Sequence, residues 1–359
     1  MSKPHISPFF RAAQSRFKIA FAGLYLLTLP VTAAIPLDEQ DVTARADVQQ
    51  FIDEMVKKHD FDANKLTALF KQVELREKIV DAITRPAEGK PWHKYRPIFV
   101  TKTRINEGVI FWNENKETLE RAEKEYGVPP EIIVAIIGVE TRYGRHKGGY
   151  RVMDSLSTLA FEYPKRSKFF RSELEQYLLL AREENIEPLS IKGSYAGAMG
   201  KPQFISSSYR NYAIDFDGDG KRDLWNNTVD AIGSVANYFK RHKWQPGGPV
   251  VVPAVVGSNH IQVLVKKGYK PHSTVTELRK RGATAKSKLD PNAMGALIEL
   301  KTLAGREHWI GLNNFYVITR YNHSPLYAMA VYQLGQAIMS KRAAESAKIN
   351  SNINTNHSS

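Results

Sequence analysis

A single carboxylate, Glu140, stands at the end of an apolar run that begins at Ile132 and holds no other charged side chain. Prolines at 129 and 130 suit the first turn of a helix, because proline lacks the N–H group that a helix leaves unpaired there. Gly144 suits the end of that helix. A helix that is apolar on all sides is buried, and burial disfavours the ionised form of a carboxyl group. Glu140 is therefore a candidate proton donor, which cleavage of a glycosidic bond requires.

The competing interpretation makes Glu140 a structural residue. Arg142 and Arg145 follow it closely, and a glutamate at a helix end can form a surface ion pair with such neighbours. A carboxylate in an apolar setting marks a functional site only in some proteins. The other motifs of the chain must decide between the two interpretations.

Residues 193–204 form a glycine-rich stretch, GSYAGAMGKPQF. Its glycines permit tight turns and a close approach of the backbone to a ligand. Ser194 and Gln203 add neutral hydrogen-bonding groups of the kind that bind sugars. A purely structural turn is the alternative. The spacing matches neither a dinucleotide loop nor a phosphate loop.

Residues 215–226 read DFDGDGKRDLWN and resemble the front half of a calcium loop. Asp215, Asp217 and Asp219 occupy loop positions 1, 3 and 5, and Gly220 occupies position 6, where the chain turns sharply. Three carboxylates this close together repel one another in the absence of a cation. The pattern therefore favours a calcium ion over an acidic turn without metal.

The back half of the loop departs from the calcium pattern. Position 7 offers the backbone carbonyl of Lys221, as usual, but position 12 is Asn226 instead of a bidentate glutamate. Asp230 is the nearest carboxylate that could complete the coordination shell. We expect such an ion to be structural, because nothing in the pattern marks it as catalytic.

Residues 320–327, RYNHSPLY, combine aromatic and amide side chains near a predicted helix start. Tyr321, Asn322 and Tyr327 could line a carbohydrate groove by stacking and hydrogen bonding. Alternatively, Asn322 or Ser324 caps the last helix. The two roles are compatible.

Composition and charge narrow the class of protein. The 359 residues include no cysteine, which excludes disulfides and thiolate metal sites, and the formal charge is +14. A basic protein favours anionic partners. Because the basic residues are scattered and no nucleic-acid-binding signature is present, we expect a cell wall or membrane surface rather than nucleic acid.

The first 34 residues have the layout of a secretory signal peptide. Basic residues precede an apolar segment at 19–31, and small residues follow at 32–34. This predicts export to the periplasm, with an uncleaved N-terminal anchor as the alternative. Lipid attachment at a processed cysteine is excluded.

Helical periodicity dominates the remainder and predicts a mainly α protein of the α+β class. A breaker at 246–249 precedes a predicted strand-rich insertion that ends near Arg320. Segments 273–281, 296–300 and 315–320 are expected to carry short strands of a small mixed region. The Ser/Asn-rich tail from residue 346 predicts disorder.

Taken together, the motifs resemble the lytic murein transglycosylase B family, glycoside hydrolase family 103. The resemblance runs from Phe51 to Gly335. The order and number of the matching blocks make it specific: GVETRYG at 138–144, GSYAGAMG at 193–200, QF at 203–204, DAIGSVANYF at 230–239 and YNHS at 321–324.

The resemblance implies a lysozyme-like helical catalytic domain, an N-terminal helical region and a small strand-containing insertion. The expected boundaries are 1–34 for the signal peptide, 35–110 for the N-terminal helical region, 111–245 for the lysozyme-like core with its calcium loop, 246–320 for a mixed α/β subdomain, 321–345 for a return helix and 346–359 for a disordered tail.

The resemblance also implies an activity: cleavage of the MurNAc–GlcNAc β-1,4 bond of peptidoglycan with formation of a 1,6-anhydro-MurNAc end. It implies that Glu140 is the single catalytic acid and base, and that the loop at 215 binds structural calcium. It assigns glycan binding, or orientation of the acid, to Ser194, Gln203, Tyr238, Tyr321, Asn322 and Tyr327. Lys201 and Pro202 replace the Tyr-Gly that is usual in the family, which alters the expected shape of the groove.

No catalytic cofactor is implied, and the expected partners are glycan strands and wall-synthesis enzymes, with the protein a monomer. Three other readings stay open: a lysozyme-type muramidase that uses water, a non-catalytic wall-binding protein, and a calcium-regulated binding module.

Overall fold

The computed structural model describes residues 41–85, 89–257 and 261–356. The predicted signal peptide lies outside the described residues. Residues 41–85, 89–257 and 261–356 belong to one compact unit. Within the described ranges, the structure has no helix with both the length and the apolar character needed to cross a bilayer.

Helices predominate in the first two thirds of the chain, as the periodicity predicts. They are α1 (Ala46–His59), α2 (Ala63–Phe70), α3 (Glu77–Ile83), α4 (Trp92–Phe99), α5 (Lys102–Glu114), α6 (Lys116–Tyr126), α7 (Pro130–Thr141), α8 (Val152–Glu162), α9 (Ser167–Glu183), α10 (Ser206–Tyr212) and α11 (Thr228–Arg241). Helix α8 was not predicted from the sequence. Its residues 152–161 are all buried, and the polar Asp154, Ser155, Ser157 and Thr158 are buried with the apolar ones, so no solvent-facing polar stripe marks this helix.

Short strands and helices make up most of the remainder: β1 (Tyr150–Arg151), β2 (Lys192–Gly193), β3 (Val251–Val256), α12 (Gln262–Lys266), β4 (Ser273–Thr274), α13 (Val275–Lys280), β5 (Ala283–Ala285), β6 (Met294–Thr302), β7 (Gly305–Gly311), α14 (Asn313–Tyr321) and α15 (Pro325–Asn356). Strands β3 to β7 form one antiparallel sheet in the order β4-β6-β7-β3-β5. Helices α12 and α13 pack against this sheet. Between them lies a separate hydrophobic cluster, which includes Leu264, Leu278 and Leu297.

The expected short strands are found in two of the three segments. Segment 296–300 lies within β6, and 273–281 begins with β4 but continues as the helix α13. The strand expected at 315–320 was wrong, because this segment lies in the helix α14. A capping box explains α13: the Thr274 side chain accepts from the Glu277 N–H, and the Glu277 carboxylate accepts from the Thr274 N–H. Helix α14 packs against its chain neighbours β7 and α15 and buries Phe315, Val317 and Ile318.

The predicted disorder of the tail is also not observed for residues 346–356, which continue α15. The helix is already established by its buried first half, from Tyr327 to Ile338. Extending an existing helix costs far less than nucleating a new one, and the Lys341–Glu345 ion pair adds to it. Polar composition alone therefore overestimated the disorder.

The apolar helix α7 lies at the centre of the core. Residues 132–139 are all buried, and α7 packs against α5, α6, α11 and α15. Pro130 occupies its first turn, as predicted. The core therefore presents the end of α7 as a fixed platform, and Glu140 is the penultimate residue of that helix.

Candidate active site

Glu140 is half-buried at the C-terminal end of α7. The helix ends earlier than predicted, because Arg142 and not Gly144 is the left-handed cap, with φ 48°. Tyr143 and Gly144 continue in the left-handed region, with φ 61° and 89°. Thr141 braces this turn, because its hydroxyl accepts from the Gly144 N–H and donates to the Lys201 carbonyl.

Tyr327 forms a hydrogen bond with Glu140. Its hydroxyl donates to Glu140 Oε1 at 2.5 Å, and it reaches the site from the first turn of α15, where the Ser324 hydroxyl accepts from the Tyr327 N–H. Burial, with the neighbouring charge of Glu140, raises the pKa of Tyr327 well above its usual value. The side chain is therefore a permanent O–H donor that orients the carboxyl group.

Tyr321 connects Glu140 to an aromatic wall. Its ring lies parallel to that of Tyr327 at 6.5 Å and edge-on to that of Tyr238 at 4.9 Å. The hydroxyls of both wall residues donate hydrogen bonds to backbone carbonyls, that of Tyr321 to Pro202 and that of Tyr238 to Arg320, each at 2.6 Å. Burial raises the pKa of both tyrosines, so they remain neutral. Their rings, rather than their hydroxyls, are the available surfaces.

A groove of about 600 Å³ runs along this wall. Four of the predicted binding residues line it: Gln203, Tyr238, Tyr321 and Asn322. Other lining side chains include Arg166, Phe169, Tyr195 and Arg320, and among the described lining residues none is an aspartate or glutamate. Another groove, of about 510 Å³ between α2 and α9, contains none of the predicted site residues.

Ser194 is the predicted binding residue that the structure places differently. Its hydroxyl accepts from the Ala196 and Ala198 N–H groups at 3.2 and 3.0 Å, and it is not among the residues that line the groove. Gln203 lines the groove from a left-handed backbone, φ 53°, and its amide donates to the Lys147 and Gly200 carbonyls.

Lys201 and Pro202, the departure noted in the sequence, are both buried. The Lys201 ammonium donates to the Asn226 carbonyl at 2.6 Å, and its stem packs beside Gly144. Burial, followed by the neighbouring Lys147, lowers the pKa of Lys201. This lysine thus joins the turn after Glu140 to the end of the acidic loop.

The acidic loop is organised by its own backbone N–H groups. Asp215 accepts from the N–H groups of 218, 219 and 220, and Asp219 accepts from that of Lys221. Gly220 has φ 88°, the left-handed turn predicted for position 6. Although burial opposes the shift, these N–H donors hold the pKa of Asp215 below its usual value.

Asp230 completes the carboxylate cluster from the first turn of α11. It is fully buried, and its two oxygens accept from the Phe216 and Asp223 N–H groups at 2.7 and 2.9 Å. Ligand oxygens of Asp215, Asp217 and Asp230 lie within 4.8 Å of one another. Hard oxygen donors at this spacing fit calcium. Asp219 is exposed and lies outside that group.

One residue of the site was not identified from the sequence. Glu107, on α5, accepts hydrogen bonds from both Arg142 and Arg145. From the sequence, these arginines were expected only as partners of Glu140. No sequence signal pointed to Glu107, because it lies on a different helix more than 30 positions earlier.

Comparison with known proteins identifies the family of this chain. Residues 43–336 match the family described as Transglycosylase SLT domain. The chain is 46% identical over 308 residues to the membrane-bound lytic murein transglycosylase B of Escherichia coli, covering 83% of this chain and 84% of that protein.

Similar solved structures are lytic transglycosylases as well. The soluble lytic transglycosylase SltB1 of Pseudomonas aeruginosa is 52% identical, with a TM-score of 0.79 over 83% of this chain and 99% of that one. The Escherichia coli lytic transglycosylase Slt35, solved in complex with calcium, is 46% identical, with a TM-score of 0.76 over 83% and 94% of the two chains. The lysozyme-like fold is thereby confirmed. The chain belongs to the lytic murein transglycosylase B family, and it is a peptidoglycan lytic transglycosylase.

Proposed function

We propose that this enzyme cleaves the MurNAc–GlcNAc β-1,4 bond by a single-carboxylate mechanism that leaves a 1,6-anhydro-MurNAc end. The observation that carries the proposal is the groove itself. Tyr327 holds Glu140, and its ring lies parallel to that of the groove residue Tyr321. The described groove lining, to which Glu140 itself does not belong, contains no aspartate or glutamate. Standard glycosidases need two carboxyl groups, and substrate-assisted mechanisms are the recognised exceptions.

In the first step, protonated Glu140 donates its proton to the glycosidic oxygen, and the C1–O bond breaks as the MurNAc N-acetyl carbonyl oxygen bonds to C1. In the second step, the Glu140 carboxylate removes the proton from the C6 hydroxyl, whose oxygen attacks C1 and displaces the N-acetyl oxygen. Glu140 ends protonated, and no water is consumed. The Tyr327 hydroxyl keeps the carboxyl group in one orientation through both steps.

The groove fits a sugar chain. Aromatic rings and neutral amides, as presented by Tyr238, Tyr321 and Asn322, are groups that bind carbohydrate. The Pseudomonas aeruginosa enzyme SltB3, 29% identical to this chain with a TM-score of 0.72 over 82% of it and 79% of that chain, is described in complex with NAG-anhNAM-pentapeptide. We therefore assign glycan strands as the substrate of the groove and the anhydro sugar as the product end.

Mass spectrometry of digested peptidoglycan tests the proposal. Anhydro ends are one water lighter than reducing ends, so purified protein should release fragments of the lighter mass. Fragments with reducing ends would instead identify a muramidase that uses water. Absence of any release would indicate a non-catalytic wall-binding protein.

The acidic loop is assigned a structural calcium ion held by Asp215, Asp217 and Asp230, with Asp219 and the Lys221 carbonyl as further candidate ligands. The ion would neutralise the cluster and fix the loop against α11; no step of the cleavage passes through it. We place the enzyme in the periplasm, because its substrate is the cell wall and residues 1–34 have the layout of a signal peptide.

A further inference from the structure

Glu107 holds both arginines that follow Glu140. Its Oε1 accepts from Arg142 Nη2 at 2.9 Å and from Arg145 Nη1 at 2.5 Å. Glu107 is 9% exposed, whereas the side chains of Arg142 and Arg145 are 36% and 58% exposed. The carboxylate is thus the buried end of a bridge from α5 to the turn after α7.

The turn that this bridge holds has an unfavourable backbone. Arg142 and Tyr143 are consecutive residues with side chains in the left-handed region, two and three positions after Glu140. Such conformations are costly and persist only where the surroundings enforce them. Backbone hydrogen bonds to the Gly138 and Ile137 carbonyls, each 3.2 Å, supply only part of that restraint.

Helix α5 also receives the Tyr143 side chain. The Tyr143 hydroxyl donates to the Arg104 carbonyl at 2.7 Å. A Cβ atom at Gly108 or Gly138 would lie 2.5 or 2.7 Å from the tyrosine, so both helices need glycine where they receive it. Glu107 and Gly108 are adjacent, and together they join the turn to α5 at two points.

Stability alone does not account for Glu107. Its Oε2 is buried and has no hydrogen-bond partner within the described residues, and an unpaired buried oxygen is unfavourable. A buried ion pair is often no more stabilising than apolar side chains of the same volume. A carboxylate at this position therefore calls for a further role.

We propose that Glu107 is a positioning residue for Glu140, which fixes the left-handed turn by holding the guanidinium groups of Arg142 and Arg145 on α5. The proposal rests on the proposed role of Glu140 in catalysis. Proton transfer depends on the placement of the carboxyl group, and a displacement of about 1 Å can cost about 10²-fold in rate. Glu107 does not contact the substrate; it acts through the turn.

The test compares two buried carboxylates, each with two arginine partners. Glu107→Gln should lower kcat about tenfold and leave KM within about twofold, because the groove is intact while the acid is displaced. The matched control is Asp154→Asn. Asp154 is fully buried and pairs with Arg151 at 2.7 Å and Arg76 at 3.4 Å, and its loss should lower Tm without lowering kcat at temperatures where the protein is folded.

A second variant tests the cause. Adding Arg145→Gln to Glu107→Gln should lower kcat no further than Glu107→Gln alone, because the two substitutions remove the same contact. If Glu107→Gln does not fold, Arg145→Gln alone replaces it, since it changes an exposed side chain; kcat must then fall at unchanged KM.

Glu140→Gln, assayed in parallel, separates the two claims. If Glu140→Gln retains full turnover, the proposed function of Glu140 is wrong, and the positioning role fails with it. If Glu140→Gln is inactive while Glu107→Gln turns over like Asp154→Asn, only the positioning role is wrong.

Discussion

Two carboxylate sites lie on either side of Lys201, and they are built differently. At the acidic loop, Asp215 accepts from N–H groups three to five residues away. At the end of α7, Glu140 accepts from Tyr327, whose position in the chain is 187 residues distant. Backbone donors of the same loop gather carboxylates for a cation, whereas the hydroxyl of a tyrosine on another helix orients the carboxyl group of Glu140. The difference in donors, more than the carboxylates themselves, separates a metal site from an acid.

The largest effect is expected at the catalytic side of this comparison. Glu140→Gln should reduce turnover of peptidoglycan by about 10³-fold or more, because general acid and base steps of that size are both lost. Tm should change little, since the amide is nearly isosteric. The control is Glu131→Gln on the same helix, whose activity should remain. Substantial turnover by Glu140→Gln would show that Glu140 is not the catalytic acid, so the proposed contrast with the metal site would be wrong.

The next effect concerns the hydroxyl that distinguishes the two sites. Tyr327→Phe should reduce kcat by about tenfold to a hundredfold, the equivalent of the roughly 1.5–3 kcal/mol of a hydrogen bond to a charged group. Tyr332→Phe in the same helix is the control. Because the pKa of Tyr327 lies well above its usual value, the wild-type pH profile should show no step from this tyrosine below about pH 10. Equal kcat values for the two variants would count against its orienting role.

Calcium binding at the acidic loop is tested by measuring Tm. Calcium should raise Tm of the wild type in a concentration-dependent way, and Asp230→Asn should abolish most of that increase. Asp219→Asn, in the same loop but outside the carboxylate cluster, should keep more of it. Turnover measured well below the chelated Tm should persist. A loss of turnover on chelation, without loss of fold, would instead make the ion part of the catalytic site.

The smallest effect is expected for the residue between the two sites. Burial lowers the pKa of Lys201, so its native form binds fewer protons than its unfolded form at alkaline pH. Its contribution to stability is therefore full above about pH 10.5, the unfolded pKa, and decreases as pH falls through the folded pKa. Lys201→Met should thus be less destabilising at pH about 7 than at pH about 10. The exposed Lys192→Met should show no such difference; melting curves at both pH values decide.

The same two sites show which features could be predicted from the sequence and which could not. The acidic loop is a local feature, so the turn at Gly220 and the approach of Asp230, on α11, to Asp215 and Asp217 could be anticipated from spacing, whereas the position of Asp219 outside that group could not. The position of Glu140 at the end of a buried helix was likewise local. Its contact with Tyr327 depends on the return of α15 to α7, a contact that a local pattern does not contain. The family resemblance supplied that residue instead.

Other features were beyond local reasoning for the same reason. Glu107 and α8 are defined by what packs around them, and in α8 the polar residues are buried together with the apolar ones. Ser194 illustrates the opposite case. A hydroxyl in a glycine-rich stretch can bind a ligand or its own backbone, and only the geometry distinguishes the two.

The long last helix has a practical consequence. α15 begins beside the candidate acid, and its final residue, Asn356, stands about 44 Å further along the axis than Tyr327, at 1.5 Å per residue. A fluorophore or a surface attachment placed at that end would be several nanometres away from the sugar chain. Immobilised enzyme could then be followed on intact cell wall with its groove unobstructed.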